Sequence, residues 1–262
     1  MNENPISKIE QIINEGYDFK FGDYISRGFD IVKKDWGAFL GFTLIFFLIT
    51  IVVSIIPFIG SFAYNLFIGP PLVVGYYIVA HNLWNGRTTK FSDFFKGFDY
   101  IGQLALTALV QGLIILVCFI PFILALWKSG LVEWYVEALS DPMAFRGNLP
   151  PTVEWWHYLL LLPVFYFSIA YSWSYLFVAF YKMSFWDALE SSRKLITRQW
   201  FLVFVFMIVA FFIMMAGVLA LCIGILFTLP AFYCMIYAAF ADVTRLNEES
   251  QSDDNIEQHL VG

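Results

Sequence analysis

The sequence predicts an all-α membrane protein whose six transmembrane helices form three weak repeats, each an interfacial amphipathic helix plus two spans. Three observations lead to this prediction. Of the 262 residues, 60% are hydrophobic and only 14% are charged, whereas soluble domains carry about 25% charged residues. Charged residues are missing from four long stretches, and a short aromatic and acidic motif recurs along the chain. Such a chain needs lipid as its solvent.

The spans follow from the four stretches that lack Asp, Glu, Lys and Arg. These stretches cover residues 36–86, 100–127, 155–181 and 199–241. A helix needs about 20 apolar residues to cross the hydrocarbon core, so the first and fourth stretches are long enough for two spans each. Both contain a break near the middle, at Pro57-Phe-Ile-Gly60 and at Cys222-Ile-Gly224.

These breaks divide the chain into a membrane domain over 21–245 and three flanking or inserted segments. A polar segment covers 1–20, an external loop covers 128–155, and an acidic tail over 246–262 is predicted to be disordered. The approximate predicted spans are 37–57, 62–83, 101–126, 156–181, 201–222 and 225–243.

The distribution of basic residues predicts the orientation of the chain. Thirteen of the fifteen Lys and Arg residues fall on one side of the predicted spans, and only Lys128 and Arg146 fall on the other. Cytoplasmic loops carry the excess of Lys and Arg in membrane proteins. We therefore expect a multi-pass chain with both termini in the cytoplasm.

A motif of Phe, any residue and Asp marks the start of each proposed repeat. Phe21-Gly-Asp23 and Phe185-Trp-Asp187 are each followed, fifteen residues after the Phe, by a Trp, and a middle copy begins at Phe91-Ser-Asp93. Helical spacing of apolar residues after each motif predicts an amphipathic helix in the membrane interface. The residues expected to contact lipid or a partner there are Phe21, Phe29, Phe91, Phe94, Phe98, Phe185 and Leu189.

Two interpretations of these interfacial helices stay open. They could cover the cytoplasmic ends of the bundle, or they could dock a protein partner or sense lipid. The external loop is the other expected partner surface, because it contains a short amphipathic segment, Leu131–Leu139, and connecting loops often carry function.

The sequence supplies no recognisable catalytic or metal site. His81, His157 and His259 are widely separated, and the predicted orientation puts the first two on opposite sides of the membrane. No nucleophile, phosphate-binding or zinc motif is present. Apart from Asp242, at the cytoplasmic end of the last predicted span, no Asp, Glu, Lys or Arg lies within a predicted span. We expect no enzyme activity and no cofactor. The net charge of −6 gives no basis for a nucleic-acid partner.

Five residues inside the spans are the best candidates for a cavity or ligand contact. Asn65 and Gln111 are the strongest uncharged polar residues, and Gly69-Pro70-Pro71 interrupts the second span. Broken spans often line binding sites in transporters. The alternative for Asn65 and Gln111 is an interhelical hydrogen bond, and the alternative for the prolines is a kink that serves packing alone. Seven intramembrane tyrosines could also line an amphiphile-friendly cavity, although aromatic packing within the bundle explains them equally well: Tyr76, Tyr77, Tyr166, Tyr171, Tyr175, Tyr233 and Tyr237.

Some of these segments resemble a group of bacterial integral membrane proteins of unknown function. The resemblance is carried by Gly69-Pro-Pro-Leu-Val-Val-Gly75, Phe91-Ser-Asp-Phe-Phe-Lys-Gly-Phe98 and Ala188-Leu-Glu-Ser-Ser-Arg193, and it covers roughly 21–245. The group includes YciC-like inner-membrane proteins. The resemblance implies a six-span helical fold in the bacterial cytoplasmic membrane and no assigned catalytic residues.

The sequence therefore favours a non-enzymatic inner-membrane protein that acts as a scaffold or as an accessory binding lipid or partner proteins. The alternative is a carrier or exporter of a neutral or amphiphilic small molecule. The two differ in one structural expectation: a carrier requires a cavity within the membrane, lined by Asn65 or Gln111.

Overall fold

The computed structural model describes residues 5–56, 58–141, 149–219 and 223–246, and within these residues it is helical with no strand. The predicted breaks fall partly outside the described residues, because Pro57 and Cys222 are not among them, and the acidic tail beyond Leu246 also lies outside. The α-helices are α1 (Pro5–Glu15), α2 (Phe21–Lys34), α3 (Trp36–Ser54), α4 (Ile59–Ala63), α5 (Gly69–Trp84), α6 (Ile101–Lys128), α7 (Leu131–Ser140), α8 (Leu162–Ala170), α9 (Ser174–Tyr181), α10 (Phe185–Arg198), α11 (Trp200–Leu219) and α12 (Ile225–Val243).

Three segments of other helical types connect these helices. Tyr64–Ile68 is a π-helical turn, and Phe91–Tyr100 and Trp155–Leu161 are 3₁₀ helices. The described part of the chain contains six helical segments that are long and apolar enough to cross a membrane. They are Trp36–Ser54, Ile59–Trp84, Phe91–Lys128, Trp155–Tyr181, Trp200–Leu219 and Ile225–Val243. Within the described residues, the prediction of an all-helical chain with six segments able to cross a membrane is confirmed.

The chain forms two compact units. The first unit comprises Met1–Leu109 and Ala170–Gly262, and the second comprises Val110–Ile169. In the first unit, α12 and the span containing α5 are the most buried, with 61% and 50% of their apolar windows inside the protein. The corresponding value for α3 and α11 is 22%. The first unit therefore has α5 and α12 at its centre and leaves most of α3 and α11 available to lipid.

In the described part of the first unit, three short helices each pack against a different span. Helix α2 lies on α12, the 3₁₀ helix Phe91–Tyr100 lies on α5, and α10 lies on α9. Small residues allow each close approach. A Cβ atom at Gly28 would overlap Met235 of α12, and one at Gly97 would overlap the carbonyl oxygen of Pro71. Ser192 of α10 donates to the carbonyl of Ala170 at 2.7 Å.

Burial on these short helices corrects two of the predicted surface contacts. Phe94 and Leu189 were expected to contact lipid or a partner, but only 1% and 2% of their surfaces are exposed. The ring of Phe94 stacks on Phe42 of α3 with centroids 4.4 Å apart. Both side chains belong to the protein core, because the apolar stripe of each helix faces the spans.

The polar N-terminal segment contains a helix that the sequence prediction left out. Helix α1 packs against α10 and buries Ile9 and Ile12. The three-residue spacing of these isoleucines is the helical signal that was available in the sequence. Leu246, assigned to the disordered tail, is also buried.

The second unit contains most of α6, the external loop as far as it is described, and the beginning of the fourth span. The rings of Phe122 and Tyr158 lie 6.0 Å apart and join α6 to the 3₁₀ helix Trp155–Leu161. Helix α7 has no buried residue. Its exposed apolar side chains are Val132, Tyr135, Val136 and Leu139.

Candidate functional site

A cavity of about 310 Å³ lies among the spans of the first unit. Helices α3, α5, α9 and α12 and the π-helical turn contribute to its wall. Phe46 and Tyr233 lie near the middle of α3 and α12, which places the cavity within the apolar part of the spans. The lining residues are Phe46, Tyr64, Asn65, Gly69, Pro70, Val73, Tyr175 and Tyr233.

The proline pair explains why the second span is irregular at this point. Pro70 and Pro71 lack a backbone N–H and cannot continue the hydrogen-bond ladder of a preceding α-helix. The chain instead forms the π-helical turn Tyr64–Ile68, whose last bond runs from the Gly69 N–H to the Tyr64 carbonyl, five residues back. Helix α5 then begins at Gly69, with the two prolines in its first turn, where no donor is needed.

Gly69 has little room for a side chain. A Cβ atom at this position would lie 3.2 Å from Cε1 of the Tyr64 ring and 3.2 Å from the Tyr64 carbonyl oxygen. The absence of a side chain therefore lets the Tyr64 ring lie against the start of α5. Turns of π-helix inside α-helical segments occur frequently at functional sites.

The polar groups of the cavity are uncharged. The Asn65 amide donates through Nδ2 to the Ser61 carbonyl at 2.7 Å, which is a bond within its own helical segment rather than the interhelical bond considered from the sequence. The Tyr64 hydroxyl accepts a hydrogen bond from Thr50 at 2.9 Å. Among the described residues, the hydroxyls of Tyr175 and Tyr233 have no hydrogen-bond partner.

Aromatic rings form the rest of the wall. Tyr233 stacks on Tyr76 with centroids 4.9 Å apart, and its ring meets Tyr77 edge to face at 5.9 Å. Tyr76 is fixed in turn by a 2.9 Å hydrogen bond to Thr43 of α3. The arrangement can receive an uncharged polar group and stack against it, and no residue in its lining is a nucleophile with a neighbouring base.

The structure brings together three of the five predicted cavity residues. Asn65, Gly69 and Pro70 line the cavity, whereas Pro71 is buried behind it against Gly97. Gln111 belongs to the second unit, and its buried Oε1 atom has no hydrogen-bond partner among the described residues.

Three of the lining residues were not predicted from the sequence. Phe46, Tyr64 and Val73 carry no local signal that separates them from other apolar residues of the spans. The tyrosines Tyr175 and Tyr233 were included only in a broad set of intramembrane aromatics.

The predicted interfacial residues divide by exposure. Phe91 is 42% exposed. The other four residues of the set that lie outside the core are half-buried: Phe21, Phe29, Phe98 and Phe185. These five side chains lie on three different short helices and do not form one site.

A cluster of charged side chains lies at the end of α12. The Asp242 carboxylate accepts from the Tyr24 hydroxyl at 2.8 Å and forms ion pairs with Lys20 at 3.3 Å and Arg27 at 3.7 Å. Burial raises the pKa of the Tyr24 phenol, so Tyr24 stays a neutral donor. The Arg27 guanidinium also lies 5.0 Å from the Trp84 ring centroid. This cluster fastens α2 to the spans and contains no catalytic pair.

Within the described residues, no three side chains of His, Cys, Asp or Glu are grouped closely enough to hold a metal ion. Comparison with known proteins adds no functional information, because no family model, curated protein or solved structure matches the chain.

Proposed function

We propose that this chain is a non-enzymatic accessory protein of a bacterial cytoplasmic membrane that binds an uncharged amphiphile in the cavity at Asn65 and Tyr233. The observation that carries the proposal is the composition of the cavity wall. It combines aromatic rings with an amide and hydroxyl groups, and it contains no charge. A charged headgroup would lose its hydration there without an opposite charge to replace it.

The size of the cavity limits the part of the ligand that it can enclose. Ligand pockets typically span about 300–1,000 Å³, so a volume of about 310 Å³ is at the small end. It accommodates a hydroxyl-bearing headgroup and the first carbons of a chain, while the remaining chain extends along the lipid-facing surface. A monoacylglycerol has this chemistry.

The asymmetry of the basic residues supports an orientation with both termini in the cytoplasm. In this orientation α2, α10 and the 3₁₀ helix Phe91–Tyr100 lie on the cytoplasmic side, and α7 lies outside. The burial of Phe94 and Leu189 favours a covering role for the cytoplasmic helices over docking of a partner. The resemblance to YciC-like proteins is consistent with this location.

We further infer that the three short helices begin three copies of one structural unit. Each packs on the second span of the preceding copy: α10 on α9, Phe91–Tyr100 on α5, and α2 on α12, which closes the series. The small residues at the close approaches have nearly the same offset from the initial Phe of each copy. Gly28 and Ser192 follow it by seven residues and Gly97 by six.

The proposal is tested by filling the cavity. Val73→Phe places a ring in the cavity. Ile78→Phe introduces the same ring on α5 at a position that does not line the cavity. Native mass spectrometry of protein equilibrated with a monoacylglycerol should show a bound molecule in the wild type and in Ile78→Phe, and a strongly reduced population in Val73→Phe. Equal binding by Val73→Phe and the wild type would contradict the assignment.

A carrier of neutral amphiphiles is the second candidate, because the cavity adjoins the interrupted second span. A carrier must release its ligand on both sides of the membrane. Proteoliposomes with a fluorescent monoacylglycerol in the inner leaflet distinguish the two functions. A carrier accelerates the loss of inner-leaflet fluorescence, and Val73→Phe abolishes the acceleration. An accessory protein binds the probe without accelerating its movement.

A further inference from the structure

A second cavity, of about 570 Å³, lies at one end of the spans in the second unit. It is formed where α6 ends and where the fourth span begins. Its lining residues are Pro121, Leu124, Ala125, Lys128, Ser129, Thr152, Glu154, Trp156, His157 and Leu160. The cavity therefore has an apolar floor and a rim that carries charges of both signs.

The two charged side chains of the rim are not paired with each other. Among the described residues, neither the Lys128 ammonium nor the Glu154 carboxylate forms an ion pair or a side-chain hydrogen bond. Lys128 is the last residue of α6, and Glu154 directly precedes the 3₁₀ helix Trp155–Leu161. A ligand with one negative and one positive group could therefore pair the first with Lys128 and the second with Glu154.

His157 contributes an imidazole to the lining of the same cavity. Its Nδ1 atom lies 2.9 Å from the Glu154 carbonyl oxygen, and Trp156 stacks on the imidazole with centroids 3.8 Å apart. A carbonyl oxygen only accepts, so Nδ1 carries the proton, and the Nε2 atom of the neutral ring is an acceptor. Among the described residues Nε2 has no hydrogen-bond partner, and the side chain is only 8% exposed.

The apolar floor provides a place for the beginning of an acyl chain. Leu124 and Ala125 of α6 and Leu160 of the fourth span line the same cavity and lie three to six residues further into the spans than Lys128 and Glu154. Trp127, Trp155 and Trp156 lie at the same end of the spans and are exposed, as expected of side chains at the membrane–water boundary.

We propose that this cavity binds the headgroup of a zwitterionic phospholipid that carries a primary ammonium, the chemistry of phosphatidylethanolamine. The phosphodiester lies at Lys128, the ammonium donates to Glu154 and to Nε2 of His157, and the first acyl carbons lie on the apolar floor. A quaternary ammonium has no N–H to donate, so phosphatidylcholine fits less well. This proposal concerns another cavity and another lipid class than the proposed function.

The test uses the full-length protein in nanodiscs that contain equal mole fractions of phosphatidylethanolamine, phosphatidylglycerol and phosphatidylcholine. Native mass spectrometry then measures which lipid stays bound when the protein is released. Glu154→Gln and Lys128→Gln remove one charge each. Glu137→Gln in α7 and Lys182→Gln after α9 are matched controls, because neither residue lines the cavity.

We expect the wild type and both controls to retain phosphatidylethanolamine in preference to the other two lipids. Glu154→Gln should lower the retained phosphatidylethanolamine about two- to five-fold, as expected for loss of one exposed charge contact, without lowering phosphatidylglycerol. Lys128→Gln should lower both lipids. The proposal is overturned if the wild type shows no preference, or if both variants retain the same lipids as their controls. Val73→Phe should leave the preference for phosphatidylethanolamine unchanged, so this proposal and the proposed function can be tested independently.

Discussion

The contact between Gly75 of α5 and the 3₁₀ helix Phe91–Tyr100 leads to the sharpest stability prediction. A Cβ atom at Gly75 would overlap the carbonyl oxygen of Phe94 and would lie 2.9 Å from its carbonyl carbon. Ordinary Cβ contacts begin near 3.4 Å. The obstructing atoms are backbone and cannot turn aside, so Gly75→Ala must push the two helices apart.

The expected magnitude is the difference between two opposing effects. Overpacking at a close contact costs about 1–3 kcal/mol, and replacing Gly by Ala inside a helix stabilises it by about 0.5–1 kcal/mol. The two ranges leave a net loss between about 0 and 2.5 kcal/mol, and their middle values give about 1 kcal/mol, which corresponds to a decrease in Tm of about 2–4 °C for a chain of this size. The same substitution at Gly112 meets no atom within 4 Å and should leave Tm unchanged or slightly higher.

The assay is thermal unfolding in nanodiscs, followed by circular dichroism, with Gly75→Ala and Gly112→Ala measured beside the wild type. The reasoning is refuted if Gly75→Ala melts at or above the temperature of Gly112→Ala, because the two helices would then tolerate the extra methyl group without separating.

Three further substitutions or conditions test the packing of the short helices. Asp242→Asn weakens the ion pairs of α2 with α12 and should cost about 1–3 kcal/mol in the free energy of unfolding, measured against Asp30→Asn on the exposed face of α2. Ser192→Ala leaves the buried Ala170 carbonyl without its 2.7 Å donor and should cost about 1–3 kcal/mol; a Tm equal to that of the wild type would contradict the contact. The hydrogen bond from Arg193 lowers the pKa of Glu190 below 4.5. The resulting stabilisation is present above pH 4.5 and is lost as the pH falls through the folded pKa. Because the pair is partly exposed, Glu190→Gln should cost less than about 0.5 kcal/mol at neutral pH, and the cost should vanish in acid.

The sequence predicted the membrane character and the number of spans because both depend on local composition. A run of about 20 residues without charge has the same meaning in any bilayer protein. The short helices could also be predicted, because apolar residues recur with helical spacing within each of them. Tyr24, Phe94 and Leu189 each belong to one of these apolar stripes. The sequence could not show what the apolar stripe of each helix contacts, because such a stripe can pack equally well against lipid or against a neighbouring span. In the structure, Phe94 and Leu189 are buried against neighbouring spans and do not face lipid.

The candidate cavity was only partly predictable for a related reason. Pro70 and Pro71 disrupt the backbone wherever they occur in a helix, so they marked the broken span directly. Tyr233 and Phe46 contribute to the same wall from spans that are far apart in sequence, and aromatic residues are common in all six spans. Gln111 gave the same polar signal as Asn65 but belongs to the other unit. The spacing of residues along a chain does not determine which spans become neighbours.

A structure in lipid nanodiscs supplied with a monoacylglycerol tests the central claim most directly. The account predicts elongated density that begins between the Asn65 amide and the Tyr233 hydroxyl and continues along the surface toward lipid, and it predicts loss of this density in Val73→Phe. A cavity that contains only water, or that is closed by the surrounding side chains in the wild type, would contradict the claim.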